Sequence, residues 1–491
     1  MLFHKTSYPC LQRVKWEVQN AEQTQELRLN DGMPDIGRVL GSWGQVLLRS
    51  KEWRSGAMSV SGGVMVWVLY APEDGSEPRC MESWIPFQQS WELPETQRDG
   101  NITAVCLLRS VDARSISARK MMVRVGIGCL GEAAVPSEVE LYTPGELPED
   151  VQLLKNTYPM ILPREAGEKP FALDEELSGD APQKVIYYSL QPEITDEKVM
   201  AGKVVFRGAA KLHMLCRGED GMLYTRDHEI PFSQFSELDG EYSPDATARV
   251  IPAVTSLELE ILPEGQVHLK AGLTAQYTIS DREMIEVIED AYSPKRPVQL
   301  QTEQLYLPAE LDRRCQQVRV EMNAPAQGSR VVDTVFYPDH GRTMRIEDQA
   351  EIALTGQFQC LCYDPEGHLQ MVQPRWEGEW TLPVDSDGQV LVTVDNTSLA
   401  QGAMGLDAVQ LQAEIPVSAL TVAQKGIVMV TDLEFGEESL QERPSIILCR
   451  VGDESLWELA KRWGSTVEAI TKANDLQEQP GFDKMLLIPV V

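Results

Sequence analysis

Apolar and polar residues alternate along most of this 491-residue chain, and a period of two is typical of half-buried β-strands. The alternation is clearest at 257–261, 267–270 and 409–415. Proline and glycine interrupt these runs at short intervals. The pattern predicts antiparallel β modules of the sandwich or barrel type and not the parallel sheet of an α/β fold.

Three apolar runs that each end in an acidic turn indicate an internal repeat. Their turn glycines, Gly75, Gly221 and Gly367, are 146 residues apart in both intervals. Asp or Glu followed by Gly predicts a hairpin, because glycine supplies the positive φ of a tight turn. The next run repeats as Trp-Ile-Pro-Phe at 84–87 and Glu-Ile-Pro-Phe at 229–232, but drifts to Pro-Arg-Trp-Glu at 374–377.

The repeat divides the first 440 residues into three tandem β domains, which we predict at 1–148, 149–292 and, for the divergent third copy, 293–440. Tyr-Pro and Tyr-Ser-Pro sequences recur near the boundaries, so 157–159 and 291–297 are the predicted linkers. An acidic run at 434–439 closes the third copy.

The periodicity changes at Ser445. A predicted strand at 446–451 precedes four residues with helical spacing, Leu456, Leu459, Ala460 and Trp463. Two capping boxes, Ser455 with Glu458 and Ser465 with Glu468, predict two short helices, the second of which carries Val467 and Ile470. A final apolar run at 485–490 completes a predicted strand-helix-helix-strand unit with two antiparallel strands.

Charge limits the partners that the chain can bind. Its 44 basic and 75 acidic residues give a net charge of -31, which disfavours nucleic acid and anionic lipid surfaces. Nine cysteines without a paired framework indicate a reducing compartment, and residues 1–9 lack a secretory signal, so we expect a cytoplasmic protein. The uncharged stretch 55–72 is not predicted to span a membrane, because serine and glycine fill its first half and its apolar half, 64–70, has the length and composition of a buried strand.

Candidate catalytic or cofactor motifs are weak. The Gly-x-Gly-x-x-Gly sequence at 126–131 matches the dinucleotide-binding motif. Such a loop requires a helix directly after it, but Pro136 would break that helix, so the sequence favours a glycine-rich strand. Cys360 and Cys362 lie on one strand face, either as a buried pair or as metal ligands if others converge. The six histidines lack metal-ligand spacing. We therefore expect no enzyme, no cofactor and no metal site.

Residues 445–491 closely resemble a LysM domain through five short sequences: Val451-Gly452-Asp453, Leu456-Trp457-Glu458-Leu459-Ala460, Val467-Glu468-Ala469-Ile470, Asn474-Asp475-Leu476 and Leu487-Ile488-Pro489. The resemblance implies a βααβ fold that binds glycans containing N-acetylglucosamine in a shallow groove. By position, that groove is lined by Gly452, Asp453, Ser455, Leu456, Asn474, Asp475, Leu476 and Ile488. The expected fold class is thus mostly β, with three tandem modules and one small α+β domain.

The three β modules resemble the SPOCS domain of sporulation and spore-coat proteins, chiefly through Met33-Pro34-Asp35-Ile36-Gly37-Arg38-Val39-Leu40 and the Asp-Ala-Tyr-Ser-Pro sequence at 290–294. Together with the LysM resemblance, this implies a non-enzymatic scaffold at the forespore surface of the mother cell. Its expected partners are the coat ATPase called stage IV sporulation protein A, bound partly through the LysM domain, and other coat proteins. The alternative is a LysM protein that binds peptidoglycan of the wall or spore cortex.

Trp457 and Trp463 are six residues apart and so lie on different faces of the first predicted helix. Trp463 continues the apolar stripe and is expected in the core, whereas Trp457 lies beside it. Two interpretations of Trp457 remain open: it anchors a protein partner, or it packs against the third β module.

Overall fold

The computed structural model describes residues 2–54, 56–94, 99–179, 182–263, 266–328, 330–384, 388–395, 400–437, 444–476 and 485–490, with the side chains of 308–311 and 423–425 left out of that description. Antiparallel sheets dominate the fold, as the period-two pattern predicts. No helix in the described part of the chain has the length and apolar content needed to cross a bilayer.

The first repeat forms two three-stranded sheets, ordered β1-β6-β5 and β2-β3-β4. Its strands are β1 (Phe3–Arg28), β2 (Ile36–Arg54), β3 (Ala57–Pro72), β4 (Arg79–Glu92), β5 (Asn101–Ser117) and β6 (Lys120–Pro144). The predicted strand at 64–70 is confirmed and lies within β3. The glycine-rich run at 126–131 lies inside β6, which pairs with β1 and β5, so the strand interpretation of that motif is confirmed.

The second repeat has the same order, with sheets β11-β12-β7 and β10-β9-β8. Its strands are β7 (Gln152–Leu177), β8 (Lys184–Met200), β9 (Lys203–Arg217), β10 (Leu223–Glu237), β11 (Thr247–Ile261) and β12 (Val267–Tyr292). The predicted linker at 157–159 is wrong, because it lies inside β7 and pairs with β12. Pro159 is accommodated there because β7 is an edge strand, where the absence of a proline N–H breaks no ladder.

The third repeat keeps this plan with more strand breaks. One sheet is ordered β13-β21-β19 with β20 also on β21, and the other joins β14, β15, β17 and β18 to β16. The strands are β13 (Val298–Pro325), β14 (Arg330–Pro338), β15 (Arg342–Ile346), β16 (Gln349–Tyr363), β17 (Leu369–Val372), β18 (Arg375–Pro383), β19 (Gln389–Val394), β20 (Ala400–Met404) and β21 (Ala408–Phe435). The drifted sequence at 374–377 falls where the second hairpin arm is split into β17 and β18.

The three predicted hairpin turns are confirmed. Gly75, Gly221 and Gly367 have φ angles of 74°, 78° and 86°, and they connect β3 to β4, β9 to β10 and β16 to β17. A side chain would strain the backbone at each position, which is why glycine recurs at a spacing of 146 residues.

Apolar cores are shared between the repeats. One cluster combines Trp43 and Trp67 of the first repeat with Tyr187 of the second and Leu361 of the third. A smaller cluster joins the outer halves of all three long ribbons, β1 with β6, β7 with β12 and β13 with β21. Each repeat therefore completes part of its core with residues from its neighbours.

The C-terminal unit consists of β22 (Ile446–Arg450), α1 (Leu456–Trp463), α2 (Val467–Asn474) and β23 (Met485–Pro489). The two strands pair antiparallel, with Leu448 opposite Leu487. The predicted strand-helix-helix-strand order is confirmed. Its core is also shared, since the buried Tyr292 at the end of β12 packs into it.

Candidate partner-binding site

The first helix of the C-terminal unit begins with the predicted capping box. The Ser455 hydroxyl accepts from the Glu458 backbone N–H at 3.2 Å, and the Glu458 carboxylate accepts from the Ser455 N–H at 2.7 Å. The Ser455 N–H and hydroxyl both donate to the Glu458 carboxylate and hold its pKa below the ordinary value. Both groups are thereby used to begin α1, and Gly464 ends the helix in the left-handed conformation.

The predicted cap of the second helix is wrong by one residue. Thr466, and not Ser465, adopts the extended N-cap conformation, and its hydroxyl accepts from Ala469 N at 3.1 Å. Ser465 is fully buried: its hydroxyl donates to the carbonyl of Pro489, and its own carbonyl accepts from the Tyr292 hydroxyl at 3.0 Å. Ser465 therefore joins α2 to β23 and to β12.

The residues of the expected groove have different roles in the structure. Leu456 and Ile488 are buried in the core of the unit. Ser455 caps α1, and the Asn474 amide binds one edge of β23, donating to Leu487 O at 2.6 Å and accepting from Leu487 N at 2.8 Å. These four side chains build the unit.

The remaining groove residues lie at the surface. Asp453 and Asp475 are exposed, whereas Gly452 and Leu476 are half-buried. A methyl group added to Gly452 would contact nothing within 4 Å, so the space beside it is open. Residues 477–484, between Leu476 and β23, lie outside the described residues.

Trp457 lies against the end of β12, in the second repeat, and not against the third repeat. Its indole Nε1 donates to Asp290 Oδ2 at 2.7 Å, and its ring meets that of Tyr292 edge to face at 4.8 Å between centroids. Lys461 on the next turn of α1 contacts both Asp290 carboxylate oxygens, at 2.6 and 2.8 Å. Trp457, which lies beside the apolar stripe of α1, therefore attaches the C-terminal unit to the β repeats.

Burial dominates the electrostatics of this contact. Desolvation, with a smaller contribution from Asp290, raises the pKa of Tyr292 to about 12, so its hydroxyl stays a donor to Ser465 O. Asp290 and Tyr292 belong to the segment that resembles the SPOCS inter-domain sequence, and no local sequence pattern indicated that α1 would contact it.

The outer face of the β22–β23 ribbon carries an apolar patch that the sequence analysis missed. Its four side chains point away from the helices and are 44–62% exposed: Ile446, Leu448, Met485 and Leu487. Leu448 and Leu487 are cross-strand partners. The unbroken apolar run at 446–449 indicates this patch in the sequence. A sheet covered on one face needs apolar residues only at every second position, so the additional apolar residues must lie on the open face. We call these four residues the ribbon patch.

The other candidate chemistry gains no support from geometry. Cys360 and Cys362 are both buried, in agreement with the buried-pair interpretation. Among the described residues, no group of three or more His, Cys, Asp or Glu is arranged to hold a metal ion. Two histidines join repeats: Nε2 of the buried His340 lies 3.2 Å from Gly128 O, and Nε2 of the half-buried His213 lies 2.9 Å from Asp333 Oδ1.

A comparison with family models gives a match within the second repeat. Residues 182–262 match the family model described as SipL, SPOCS domain. The matched range spans β8 to β11 of the second repeat. No curated protein and no solved structure matches the chain. The second repeat is thus similar to the SPOCS domain of SipL, a family associated with sporulation.

Proposed function

We propose that this protein is a non-enzymatic scaffold of spore-envelope assembly that works in the mother cell at the forespore surface. Its β repeats form the body of the scaffold, and its LysM-like C-terminal unit binds the coat ATPase, a stage IV sporulation protein A-like partner. The SPOCS match at 182–262 supports the link to sporulation.

The ribbon patch is the observation that carries the proposed binding mode. Four large apolar side chains, Ile446 and Leu448 on β22 and Met485 and Leu487 on β23, lie on one face with no covering element among the described residues. Exposed apolar clusters rimmed by polar groups are typical of protein-protein contacts. Leu448 and Leu487 occupy the centre of the patch, where contact energy is usually concentrated.

The polar groups of the expected groove favour a protein ligand over a glycan. A sugar site needs side chains that are free to bind hydroxyl groups, but Ser455 and Asn474 already form hydrogen bonds with the backbone of α1 and of β23. The apolar ribbon patch suits a protein surface better than a hydroxylated sugar.

Binding of the purified ATPase to the full-length chain tests the proposal. Leu448→Ser and Leu487→Ser, singly and together, should weaken binding at least about tenfold, the loss expected when a central apolar contact is removed. Leu406→Ser is the matched control, because Leu406 is 98% exposed and lies between β20 and β21. Dissociation constants from biolayer interferometry provide the measurement.

Two outcomes would overturn this assignment. In the first, the ATPase does not bind the wild-type chain, while peptidoglycan fragments do and Asp453→Ala with Asp475→Ala abolishes that binding. In the second, the ATPase binds all variants equally. The first would favour the glycan-binding alternative, and the second would move the partner site away from the ribbon patch.

A further inference from the structure

Two cysteines of the first repeat face each other across β5 and β6. Cys106 and Cys129 are direct cross-strand partners, and their Sγ atoms are 3.1 Å apart. Both are free thiols. A disulfide bond is about 2.05 Å long, so the two sulfur atoms need to approach each other by only about 1 Å to reach bonding distance.

The position of this pair in the β-ladder suits a disulfide. The N–H and C=O groups of Ala104 are both bonded to the Gln276 side chain, so they point away from β6. Cys106 lies two residues further along β5 with no register shift between them, and its backbone has the same orientation. Cys106 and Cys129 are therefore a non-hydrogen-bonded pair, in which the Cα atoms are about 4.5 Å apart, within the range of about 4.4–6.8 Å found in disulfides.

The fold does not require thiols at this place. At the repeat spacing of 146 residues, the equivalent positions in the second repeat are Pro252 and Ala275. These two residues are also direct cross-strand partners, on β11 and β12. The same ladder position is thus occupied without sulfur, and the close thiol pair is a property of the first repeat that the second does not share.

The two thiols differ in their access to small molecules. Cys129 is fully buried, and its contact with Cys106 together with burial raises the pKa of the Cys129 thiol, so it stays protonated at neutral pH. Cys106 is half-buried and lines a cavity of about 60 Å³ where β2, β5, β8 and β11 meet. Since a water molecule needs about 10–15 Å³, this cavity has room for a molecule as small as hydrogen peroxide.

Lys51 places a positive charge near the accessible thiol. Its ammonium group donates to Ile102 O at 2.6 Å, pairs with Glu168 at 2.9 Å and interacts electrostatically with Cys106. A neighbouring cation favours the thiolate, which is the nucleophilic form of cysteine. Access and charge both indicate that Cys106 reacts first.

We propose that Cys106 and Cys129 form a reactive dithiol that hydroperoxides convert to a disulfide. The Cys106 thiolate attacks one peroxide oxygen, the O–O bond breaks, and the other oxygen takes up the thiol proton and leaves as water or an alcohol, which makes Cys106 a sulfenic acid. The Cys129 sulfur then attacks the Cys106 sulfur, the S–O bond breaks, and hydroxide leaves with the Cys129 proton as water. The two thiols lose two electrons, which reduce the peroxide, and the new bond joins the edge strand β5 to β6.

Peptide mapping of the full-length protein after brief treatment with hydrogen peroxide tests this assignment. Free thiols are blocked with iodoacetamide, and the protein is digested with trypsin without reductant. Trypsin cleaves between the two cysteines, for example at Arg109, so the disulfide gives a linked peptide that is lighter by two hydrogen atoms than its separate halves. This peptide should form at least about tenfold faster than the buried Cys360 and Cys362 thiols are lost, and dithiothreitol should reverse it.

Single variants separate the two steps of the reaction. Cys129→Ala should leave Cys106 as a sulfenic acid that dimedone traps, and Cys106→Ala should leave the Cys129 thiol intact. Cys315→Ala is the matched control, because it removes an exposed thiol on β13 and should not change the yield of the linked peptide.

The wild-type result alone decides the proposal if either variant of the pair fails to fold. The proposal is overturned if the folded wild-type chain gives no peptide that links Cys106 to Cys129, or if that peptide forms only after urea has unfolded the protein.

Discussion

His213 on β9 forms a charged link between the second and third repeats. Its Nε2 lies 2.9 Å from Asp333 Oδ1 on β14, its Nδ1 lies 2.6 Å from Asp227 Oδ1, and its ring lies 6.1 Å from that of Tyr187. Desolvation favours the neutral imidazole, but Asp333 and Asp227 outweigh it and raise the pKa of His213 to about 10. The folded protein therefore holds this proton well above neutral pH.

The raised pKa predicts how stability depends on pH. Because the folded pKa is higher than the unfolded value of about 6.5, the stabilisation is complete below about pH 6.5 and is lost as the pH rises towards 10. His213→Gln should reduce the apparent free energy of unfolding by about 2–4 kcal/mol at pH 6 and by much less at pH 10. Urea denaturation at several pH values measures the difference. His368→Gln, at a side chain 68% exposed, should show no such pH-dependent difference.

Gly221 tests the turn geometry that the repeat spacing predicted. With φ at 78°, Gly221→Ala should destabilise the protein by about 1 kcal/mol, although nothing lies within 4 Å of the added methyl group. This loss of stability would come from backbone strain alone, since the added methyl group meets no neighbour. Gly452→Ala is the matched control, since it is equally free of neighbours and has no positive φ. Equal denaturation midpoints for the two variants would contradict this explanation.

Among elements, α1 determines how the C-terminal unit is held on the β repeats. Asp290 on β12 accepts from both Trp457 and Lys461, so Asp290→Ala should release α1 while the buried core around Leu459 keeps the unit folded. Amide hydrogen exchange should become faster in α1 and at the end of β12, but not in β16. Asp453→Ala removes an exposed carboxylate of the same unit and should leave exchange unchanged.

This contact also changes the interpretation of Trp457. If Asp290→Ala leaves exchange in α1 unaltered, Trp457 is available for a partner, as one of the two sequence-based interpretations holds. If exchange in α1 rises, Trp457 holds the C-terminal unit on the β repeats. A loss of partner binding in Trp457→Ala would then arise from displacement of the whole unit as well as from a lost direct contact.

Sequence predicted those elements that depend on nearby residues. The hairpins at Gly75, Gly221 and Gly367 and the capping box of Ser455 each need only a few consecutive residues, and all four are present. The second cap failed because Ser465 and Thr466 are both good N-caps, and the choice depends on the burial of Ser465 against Pro489.

Long-range contacts were beyond the sequence pattern. The indole of Trp457 bonds to a residue 167 positions away, and the period of a helix tells which face it occupies but not which element covers it. The predicted linker at 157–159 failed for a related reason, because a proline-rich stretch can continue an edge strand once a partner strand is supplied. The ribbon patch, in contrast, could have been found from the unbroken apolar run at 446–449.

At the scale of the whole molecule, buried glutamines form hydrogen bonds between the repeats. Gln276 of β12 exchanges two hydrogen bonds of 2.9 Å with the backbone of Ala104 and accepts from Lys51 Nζ at 2.7 Å. Gln45 Oε1 accepts from Leu190 N, and Gln359 Nε2 donates to Val111 O. These bonds join the second repeat to the first and the third to the first, alongside the shared apolar cores.

Shared cores and buried polar links imply that the repeats unfold together. Gln276 is 1% exposed, and Gln276→Ala would leave the N–H and C=O groups of Ala104 without their partner, at a cost of about 3 kcal/mol, while Lys51 keeps its contacts with Ile102 O and Glu168. Since the first two repeats contribute to the same core cluster, that cost should lower the midpoint of one calorimetric transition by a few degrees, without dividing it into two. Gln301→Ala, at an exposed position on β13, should leave the midpoint unchanged. A variant that unfolds in two separate steps would mean that the repeats are stable independently, in spite of the apolar core that they share.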